Sequence, residues 1–168
     1  MDNNILPIIG STEYVEVSGI KNIPAKIDTG ADTSSIWASN IDMKEDGTLT
    51  FSLFAENCPF YTGEILETKD CMIKVVRSSN GEQQVRYRVK LPIVIGGKSF
   101  KTTFTLADRS RNKFPILIGR HTLSSNFLVD VTKSSIPREN NPRTKPLNIE
   151  FEENPYEFHH KYIKKGAK

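Results

Sequence analysis

The sequence predicts an all-β protein with one folded domain and one short helix. Apolar and polar residues alternate with a period of two in several runs, most clearly in residues 48–54 and 85–95. Asn80-Gly81 stands between two such runs, and this pair is a strong signal for the tight turn of a β-hairpin. At 168 residues, the chain has the length of one domain that can bury its own core.

The predicted strands follow one another with short turns between them. In chain order they cover residues 5–9, 14–17, 23–27, 48–54, 71–77, 85–95, 100–106, 116–118 and 127–131. The run 116–118 is wholly apolar, as expected for a strand that is buried on both faces. Residues 120–125 are the best helix candidate. Trp37, the single tryptophan, is interpreted as a core residue more readily than as a surface for substrate.

The character of the sequence changes after residue 135. The last part of the chain combines four prolines with many charged and amide side chains: Pro137, Pro142, Pro146 and Pro155. Such a composition buries too little apolar surface to form a core of its own. We therefore expect a folded domain over residues 1–135 and an extended polar tail over residues 136–168.

The overall composition is that of an ordinary soluble globular protein, with 37% hydrophobic and 26% charged residues. A net charge of +3 is too weak to indicate nucleic acid as the main partner. Neither a membrane-spanning run nor a signal peptide is visible in the sequence. The expected location is the cytoplasm, where Cys58 and Cys71 are expected to be reduced thiols.

Two short motifs carry the chemistry. Residues 26–37 read KIDTGADTSSIW, in which Asp28 directly follows an apolar strand and precedes the turn residues Thr29 and Gly30. This order places a carboxylate at the tip of a tight loop, which Thr29 can hold by hydrogen bonding and Gly30 can turn without a Cβ penalty. About ninety residues later, residues 114–123 read FPILIGRHTL.

The pairing of IDTGADTS with ILIGRHTL resembles the retropepsin-like aspartic proteases. Over residues 5–135 the chain is similar to the bacterial and archaeal branch known as ATP-dependent zinc proteases. The resemblance implies a closed β-barrel in which Asp28, Thr29 and Gly30 form the catalytic loop. It also implies that the apolar run and Gly119 buttress that loop. Relative to the retroviral members, residues 39–70 form an additional segment.

Aspartic proteolysis requires two carboxylates that share one proton across a bound water. The chain has one Asp-Thr-Gly motif, so the simplest arrangement is a homodimer with Asp28 of each subunit at the two-fold axis. Asp32 is the other carboxylate nearby. It is interpreted as a polar residue that follows the loop, because four residues after Asp28 it would have to fold back sharply to share a proton.

The hairpin around residues 78–82 is the candidate for a flap that closes over the substrate; a plain surface hairpin is the alternative. The residues expected to bind substrate lie beside the catalytic loop, at the hairpin tip and on its arms: Ala31, Asp32, Ser79, Asn80, Gly81, Arg77, Arg86 and Arg88. If the arginines face the cleft, the substrate is acidic. The alternation along the strand could equally turn them to solvent.

The resemblance also implies a class of substrate. Relatives are associated with ATP-grasp ligases that add glutamates to proteins or peptides, and one branch is associated with removal of such tails from a ribosomal protein. The expected activity is therefore an aspartic endopeptidase acting on peptides or proteins, among them glutamate-rich tails. The alternatives are a peptide-binding module on the same fold and a metal-dependent hydrolase.

The zinc in the family's name finds little support in the sequence. His121, His159 and His160 do not have the spacing of a zinc site, and the chain contains no His-Glu-x-x-His motif. A nucleotide-binding glycine loop is also missing. We therefore expect neither a metal nor a cofactor.

Overall fold

A computed structural model describes residues 5–77, 83–137 and 144–163. Within these residues the chain is dominated by strands: β1 (Ile8–Ile9), β2 (Thr12–Val17), β3 (Ile20–Ile27), β4 (Ser34–Met43), β5 (Leu49–Leu53), β6 (Leu66–Thr68), β7 (Cys71–Arg77), β8 (Gln83–Ile95), β9 (Lys98–Ala107), β10 (Ile116–Ile118) and β11 (Leu128–Val129). The helical segments are α1 (Arg120–Leu123), α2 (Thr144–Glu153), α3 (Pro155–Phe158) and a π-helical turn (His159–Ile163).

Six strands close into a barrel in the order β10, β3, β2, β8, β9 and β4, and β10 pairs again with β4. The closing strand β10 runs parallel to β3 and antiparallel to β4. Ile116 and Ile118 of this strand are fully buried, whereas Leu117, on its opposite face, is only partly buried, so the strand is not buried on both faces as the sequence suggested. The expected all-β closed barrel is confirmed. Closure leaves neither edge of β10 open to solvent.

The segment between the first motif and the hairpin extends the barrel sheet. Strand β4 continues past the barrel and pairs with β5, which pairs in turn with β6. All five residues of β5 are buried, including Thr50 and Ser52. The alternation in the sequence places these polar residues on the face opposite to Leu49, Phe51 and Leu53, and the structure buries both faces. Trp37 on β4 is buried in the core cluster, as expected.

Strands β7 and β8 form the predicted hairpin. Their antiparallel register runs without interruption from Cys71 opposite Val89 to Arg77 opposite Gln83. The tip residues assigned from the sequence to substrate binding, Ser79, Asn80 and Gly81, lie outside the described residues. Of the candidate flap, the structure describes the two arms, β7 and β8.

The C-terminal part of the chain is helical where an extended tail was expected. The chain divides into two compact units, Met1–Ile136 and Pro137–Lys168. In the second unit, Pro155 occupies the first turn of α3, and Asn154 caps this helix by accepting a hydrogen bond from the Glu157 N–H at 3.2 Å. Proline is well tolerated at the start of a helix, where its missing N–H needs no partner. Two of the prolines that suggested extension, Pro146 and Pro155, therefore lie in the first turns of helices.

Side chains in the described helices of the second unit pack against one another, and none of these residues is buried. The rings of Phe151 and Phe158 meet edge to face, with centroids 5.4 Å apart. Glu150 accepts hydrogen bonds from Lys161 at 2.6 Å and Tyr162 at 2.9 Å. Among the described residues, no helix is long and apolar enough to cross a membrane. Both cysteines are free thiols, as expected.

Candidate active site

The loop that carries Asp28 begins where β3 ends. The Asp28 N–H donates to the carbonyl of Ile118 on β10, at 2.9 Å. Its side-chain Oδ1 accepts from the N–H groups of Gly30 at 3.0 Å and Ala31 at 3.2 Å. Lys26 Nζ lies 3.9 Å from the other oxygen, Oδ2, and 29% of the Asp28 side chain is exposed. The carboxylate is thus oriented by backbone amides and remains open to solvent on one side.

Two reasons given from the sequence for this loop need correction. Gly30 is not among the glycines with a positive φ, so the turn does not depend on the conformational freedom of glycine. A Cβ at Gly30 would meet Asp28 Oδ1 at 3.4 Å, so the missing side chain leaves space beside the carboxylate. Thr29 is exposed, and none of the hydrogen bonds within the described residues involves its hydroxyl. Within this chain, the Asp28 carboxylate and the backbone hold the loop together.

The second motif packs directly against this loop. A Cβ built on Gly119 would lie 2.6 Å from the backbone carbon of Thr33 and 2.9 Å from the carbonyl oxygen of Ala31. The Arg120 N–H donates to the Ala31 carbonyl at 2.8 Å. The buttressing role that the resemblance implies for Gly119 therefore has a geometric basis, since only glycine allows this approach of two backbones.

A line of buried hydroxyl groups continues the connection into the barrel. Ser34 Oγ accepts from the Gly119 N–H at 3.1 Å and lies 2.6 Å from Thr122 Oγ1. Thr122 Oγ1 in turn lies 2.9 Å from Thr102 Oγ1 on β9. Sequence reasoning missed these residues. A hydroxyl residue that follows a loop and enters a buried strand reads as an ordinary β-former, and its partner is 88 residues away.

Asp32 forms an ion pair with Arg120, and both side chains are more than half exposed. The hydrogen bond from Arg120, together with its charge, lowers the pKa of Asp32. Asp32 is therefore held ionised against an arginine of its own chain. This arrangement agrees with its interpretation as a polar residue that follows the catalytic loop.

A cleft of about 360 Å³ lies between this loop and the hairpin. Its lining brings together the loop, the barrel wall and the hairpin arms: Gly30, Ala31, Asp32, Thr33, Ser35, Lys74, Val75, Val76, Arg77, Arg86, Thr105, Arg109 and Leu117. Four of the predicted substrate-binding residues, Ala31, Asp32, Arg77 and Arg86, are among them. The hairpin arms therefore contribute to the cleft wall.

Arg88 is the predicted residue that the structure does not bring to this lining. It lies two residues closer to the barrel than Arg86 and pairs with Thr105 in the sheet. Its Nε is buried, with no hydrogen-bond partner among the described residues. The period of two correctly placed both arginines on one face of β8, but it did not show that the barrel wall covers that face at Arg88.

The cleft also contains a cation that sequence reasoning missed. Arg109 lies in the loop after β9, and its Nε donates to the carbonyl of Phe114 at 3.1 Å. Burial and the charge of Arg86 lower the pKa of Arg109, while the carboxylate of Asp28 raises it. Arg109 is thus within electrostatic reach of both the hairpin and Asp28. In the sequence it stands in a polar loop, where no periodic pattern distinguishes it from the neighbouring Arg111.

The zinc ion implied by the name of the similar branch has no fitting site in the described residues. No group of three or more His, Cys, Asp or Glu side chains lies close enough there to hold a metal ion. His121, at the start of α1, is exposed, and its N–H donates to the backbone carbonyl of Asp32 at 3.0 Å. No zinc-dependent step is derived for this site.

Comparison with known proteins places the barrel and the site in one family. The family model described as "Retropepsin-like aspartic endopeptidase RimB" matches residues 8–140. The solved structures that are similar to this chain include a protein of unknown function from Legionella pneumophila, with a TM-score of 0.55 and 25% sequence identity. That match covers 76% of this chain and 95% of the Legionella chain.

Curated relatives have a different name. A protein of Shewanella pealeana named "Probable alpha-L-glutamate ligase" is 36% identical over 135 residues, or 76% of this chain. A protein of the same name from Shewanella halifaxensis is 34% identical over 132 residues. The chain spans only 29% of the length of these relatives, so it corresponds to one part of each. On the family match, the fold and the paired motifs, the chain belongs to the RimB-like family of retropepsin-like aspartic endopeptidases.

Proposed function

We propose that the protein is an aspartic endopeptidase in which two copies of Asp28, one from each subunit of a homodimer, activate a water molecule. The observation that carries the proposal is the position of the Asp28 carboxylate. Backbone N–H groups fix one of its oxygens, and the side chain is partly exposed beside a cleft large enough for peptide side chains. A carboxylate that is oriented in this way is prepared to act on a bound substrate.

A homodimer supplies the second carboxylate. Within one chain the nearest candidate, Asp32, is already bound to Arg120. The Asp28 loop presents two exposed residues, Thr29 and Gly30, which leaves it accessible to an identical loop. A two-fold axis at this loop brings the two Asp28 carboxylates together. Two carboxylates at such short range cannot both stay ionised, so the pair holds one proton.

The reaction then follows from this shared proton. The ionised Asp28 takes a proton from the water, whose oxygen attacks the carbon of the scissile carbonyl. The protonated Asp28 donates its proton to the carbonyl oxygen, giving a neutral tetrahedral diol. Collapse of the diol returns a proton to the pair and transfers another to the departing amine. The C–N bond breaks, and the carboxylate pair regains its starting state.

Glutamate-rich peptides or protein tails are the proposed substrates. Four cations line the cleft: Lys74, Arg77, Arg86 and Arg109. The carboxylate of Asp32 on the same wall is paired with Arg120, outside this set. The curated relatives are named as probable glutamate ligases, and this name supports a functional link to a glutamate ligase. We propose that this ligase is of the ATP-grasp type and that both proteins act in the cytoplasm. A peptidase for glutamate tails would reverse the product of such a ligase.

The mechanism is tested with Asp28→Asn. An amide cannot take a proton from water, and general-base assistance contributes about 10²–10⁴ in rate. We expect the rate of cleavage of a glutamate-rich peptide to fall by about 10²-fold or more, while the melting temperature stays close to that of the wild type. The matched control is Asp42→Asn, which changes an exposed carboxylate on β4 outside the cleft. Activity near wild type in Asp28→Asn would contradict the proposal.

The dimer is tested by mixing. If each site needs Asp28 from both subunits, an excess of Asp28→Asn protein will draw wild-type chains into mixed dimers that cannot cleave. The rate per wild-type chain should then fall as the inactive protein is added. The same excess of a protein without affinity for the chain, such as albumin, should have no such effect. An unchanged rate would show that each chain works alone.

The substrate class is tested by charge and salt. A glutamate-rich peptide should be cleaved faster than its glutamine counterpart of equal length at low ionic strength. The advantage should shrink as salt is added, since the Debye length falls to about 8 Å near physiological ionic strength. Equal rates for both peptides at all salt concentrations would mean that the cationic lining does not select the substrate.

A further inference from the structure

Arg86 and Arg109 reach the same cleft from two different parts of the fold. Arg86 belongs to the β8 arm of the hairpin, and Arg109 belongs to the loop that follows β9 on the barrel. Each is anchored through its Nε, Arg86 to Gln84 Oε1 at 2.8 Å and Arg109 to the Phe114 carbonyl at 3.1 Å. Within the described residues, no hydrogen bond involves their terminal guanidinium nitrogens. Both side chains are thus oriented, with donors left over.

The two guanidinium groups also have no ion-pair partner among the described residues, whereas the nearby Asp32 is paired with Arg120. The carboxylate of Asp28 is within electrostatic reach of Arg109 and raises its pKa, but the two groups do not form an ion pair. Burial lowers the pKa of both arginines, and the charge of Arg86 lowers that of Arg109 further. Two like charges that are partly withdrawn from water and face one cleft form a site that an anion would stabilise.

We propose that Arg86 and Arg109 together bind one carboxylate group of the substrate, bridging the hairpin and the barrel. This inference rests on the proposed function for its ligand, a glutamate side chain near the scissile bond. A carboxylate accepts hydrogen bonds on two oxygens, and a guanidinium group presents parallel N–H donors, so one carboxylate can satisfy both arginines. Lys74 and Arg77 then attract acidic peptides in general, whereas the arginine pair selects glutamate at one position.

The experiment measures binding, so that it does not depend on cleavage. The protein carries Asp28→Asn, which prevents turnover under the proposed mechanism, and calorimetry measures its affinity for short neutral peptides. A single Glu is moved from position to position along the peptide, and each peptide is compared with its Gln counterpart. We expect one position at which Glu binds roughly tenfold more tightly than Gln, as charge-assisted hydrogen bonds allow.

Three variants test whether the two arginines cause this preference for Glu: Arg86→Gln, Arg109→Gln and the double variant. Each single change should remove most of the preference for Glu, and the double change should remove little more, because the two arginines share one carboxylate. Affinity for the Gln peptide should stay nearly constant. Arg111→Gln is the matched control, since Arg111 is exposed in the same loop and does not line the cleft. It should keep the full preference.

Several outcomes would overturn the inference. If Arg109→Gln weakens binding of the Glu and Gln peptides equally, Arg109 supports the Asp28 loop instead of reading the substrate. Additive losses in the double variant would indicate two separate sites. If Arg109→Gln does not fold, Arg86→Gln on the hairpin still tests the pair, and an unchanged preference there would exclude it. If the binding experiment gives the expected Glu preference but the wild-type protein cleaves no peptide, the carboxylate site at Arg86 and Arg109 is supported and the proposed peptidase activity is rejected.

Discussion

Gly119 has space for a hydrogen atom and little more. The carbonyl oxygens of Thr33 and Ala31 would lie 2.7 Å and 2.9 Å from a Cβ at this position, and both belong to backbone that cannot swing aside. The neighbouring Gly30 differs, since a Cβ there would meet one carboxylate oxygen at 3.4 Å. The two glycines therefore serve different purposes. One allows two backbones to touch, and the other keeps the surroundings of Asp28 open.

This difference gives a prediction at the residue scale. Gly119→Val should destabilise the fold by about 1–3 kcal/mol or more, because the new side chain has no space and must displace the Asp28 loop. Peptidase activity should fall with it. Urea unfolding measures the first effect and peptide cleavage the second. Gly30→Ala is the matched control for stability and should unfold near the wild-type denaturant concentration. A Gly119→Val protein as stable and active as wild type would contradict the packing role.

Single residues were predictable where a motif names them. Asp28 and Gly119 stand at fixed places in two short motifs, and the structure brings those motifs into contact. Arg109 was not predictable, because its importance arises from a loop that folds back beneath the hairpin. Arg88, in contrast, was predicted to bind substrate but does not line the cleft. Its position on β8 is periodic with that of Arg86, yet its Nε is buried.

At the scale of elements, a short strand and a short helix hold the site. Strand β10 fixes the backbone of Asp28, and α1 begins at Arg120, immediately after the glycine that packs under the loop. Ser34 at the start of β4 joins the two by accepting from the Gly119 N–H. Both Ser34 and Thr122 are almost completely buried. Water therefore cannot replace a hydroxyl that is removed from this line.

Ser34→Ala should consequently cost stability out of proportion to its size. The change leaves the Gly119 N–H buried without its acceptor, and an unsatisfied buried group costs about 1–3 kcal/mol. The free energy of unfolding, measured in urea, should fall by that amount. Ser124→Ala is the control, because Ser124 is exposed at the end of α1 and uses only its backbone. Equal stability of both variants would show that the hydroxyl line is not structural.

Most of the barrel strands could be predicted, because their alternation and β-branched residues are strong local signals. Strand β4 was missed, since the polar residues in SSIWASNIDM interrupt any simple alternation. Strand β5 and its alternation were recognised, but a single sequence does not show that both faces of the strand are buried. Helix α2 was missed because Pro146 reads as a helix breaker, although it lies in the first turn.

At the scale of the whole molecule, the apolar core formed by the described residues belongs to the first unit. Every residue of the core cluster lies between Ile9 and Val129. The barrel unit includes the short segment that follows β11, in which the Lys133 carbonyl accepts from the Ser11 N–H at 2.8 Å. In the same segment, the Ser135 N–H donates to the Thr12 carbonyl at 3.0 Å. These bonds tie residues 133–136 to the start of β2.

A chain that ends at Ile136 should therefore fold and melt within a few degrees of the full-length protein. A chain that ends at Val131 should melt lower, because it loses the hydrogen bond that the Lys133 carbonyl accepts from Ser11 and the one that the Ser135 N–H donates to Thr12. Circular dichroism of the three proteins on heating measures the comparison. If the Ile136 truncation fails to fold, the second unit contributes to the stability of the barrel, and the two units do not fold independently.

The position of β10 has a consequence for the order of assembly. This strand fills the gap between β3 and β4, yet it is made after all five of the other barrel strands. Until residues 116–118 leave the ribosome, a growing chain has two sheet edges without partners, and such edges invite pairing with other chains. The Asp28 N–H also lacks its acceptor until then. The Asp28 loop therefore takes its final shape only as the barrel closes, and an unfinished chain carries no organised carboxylate at this position.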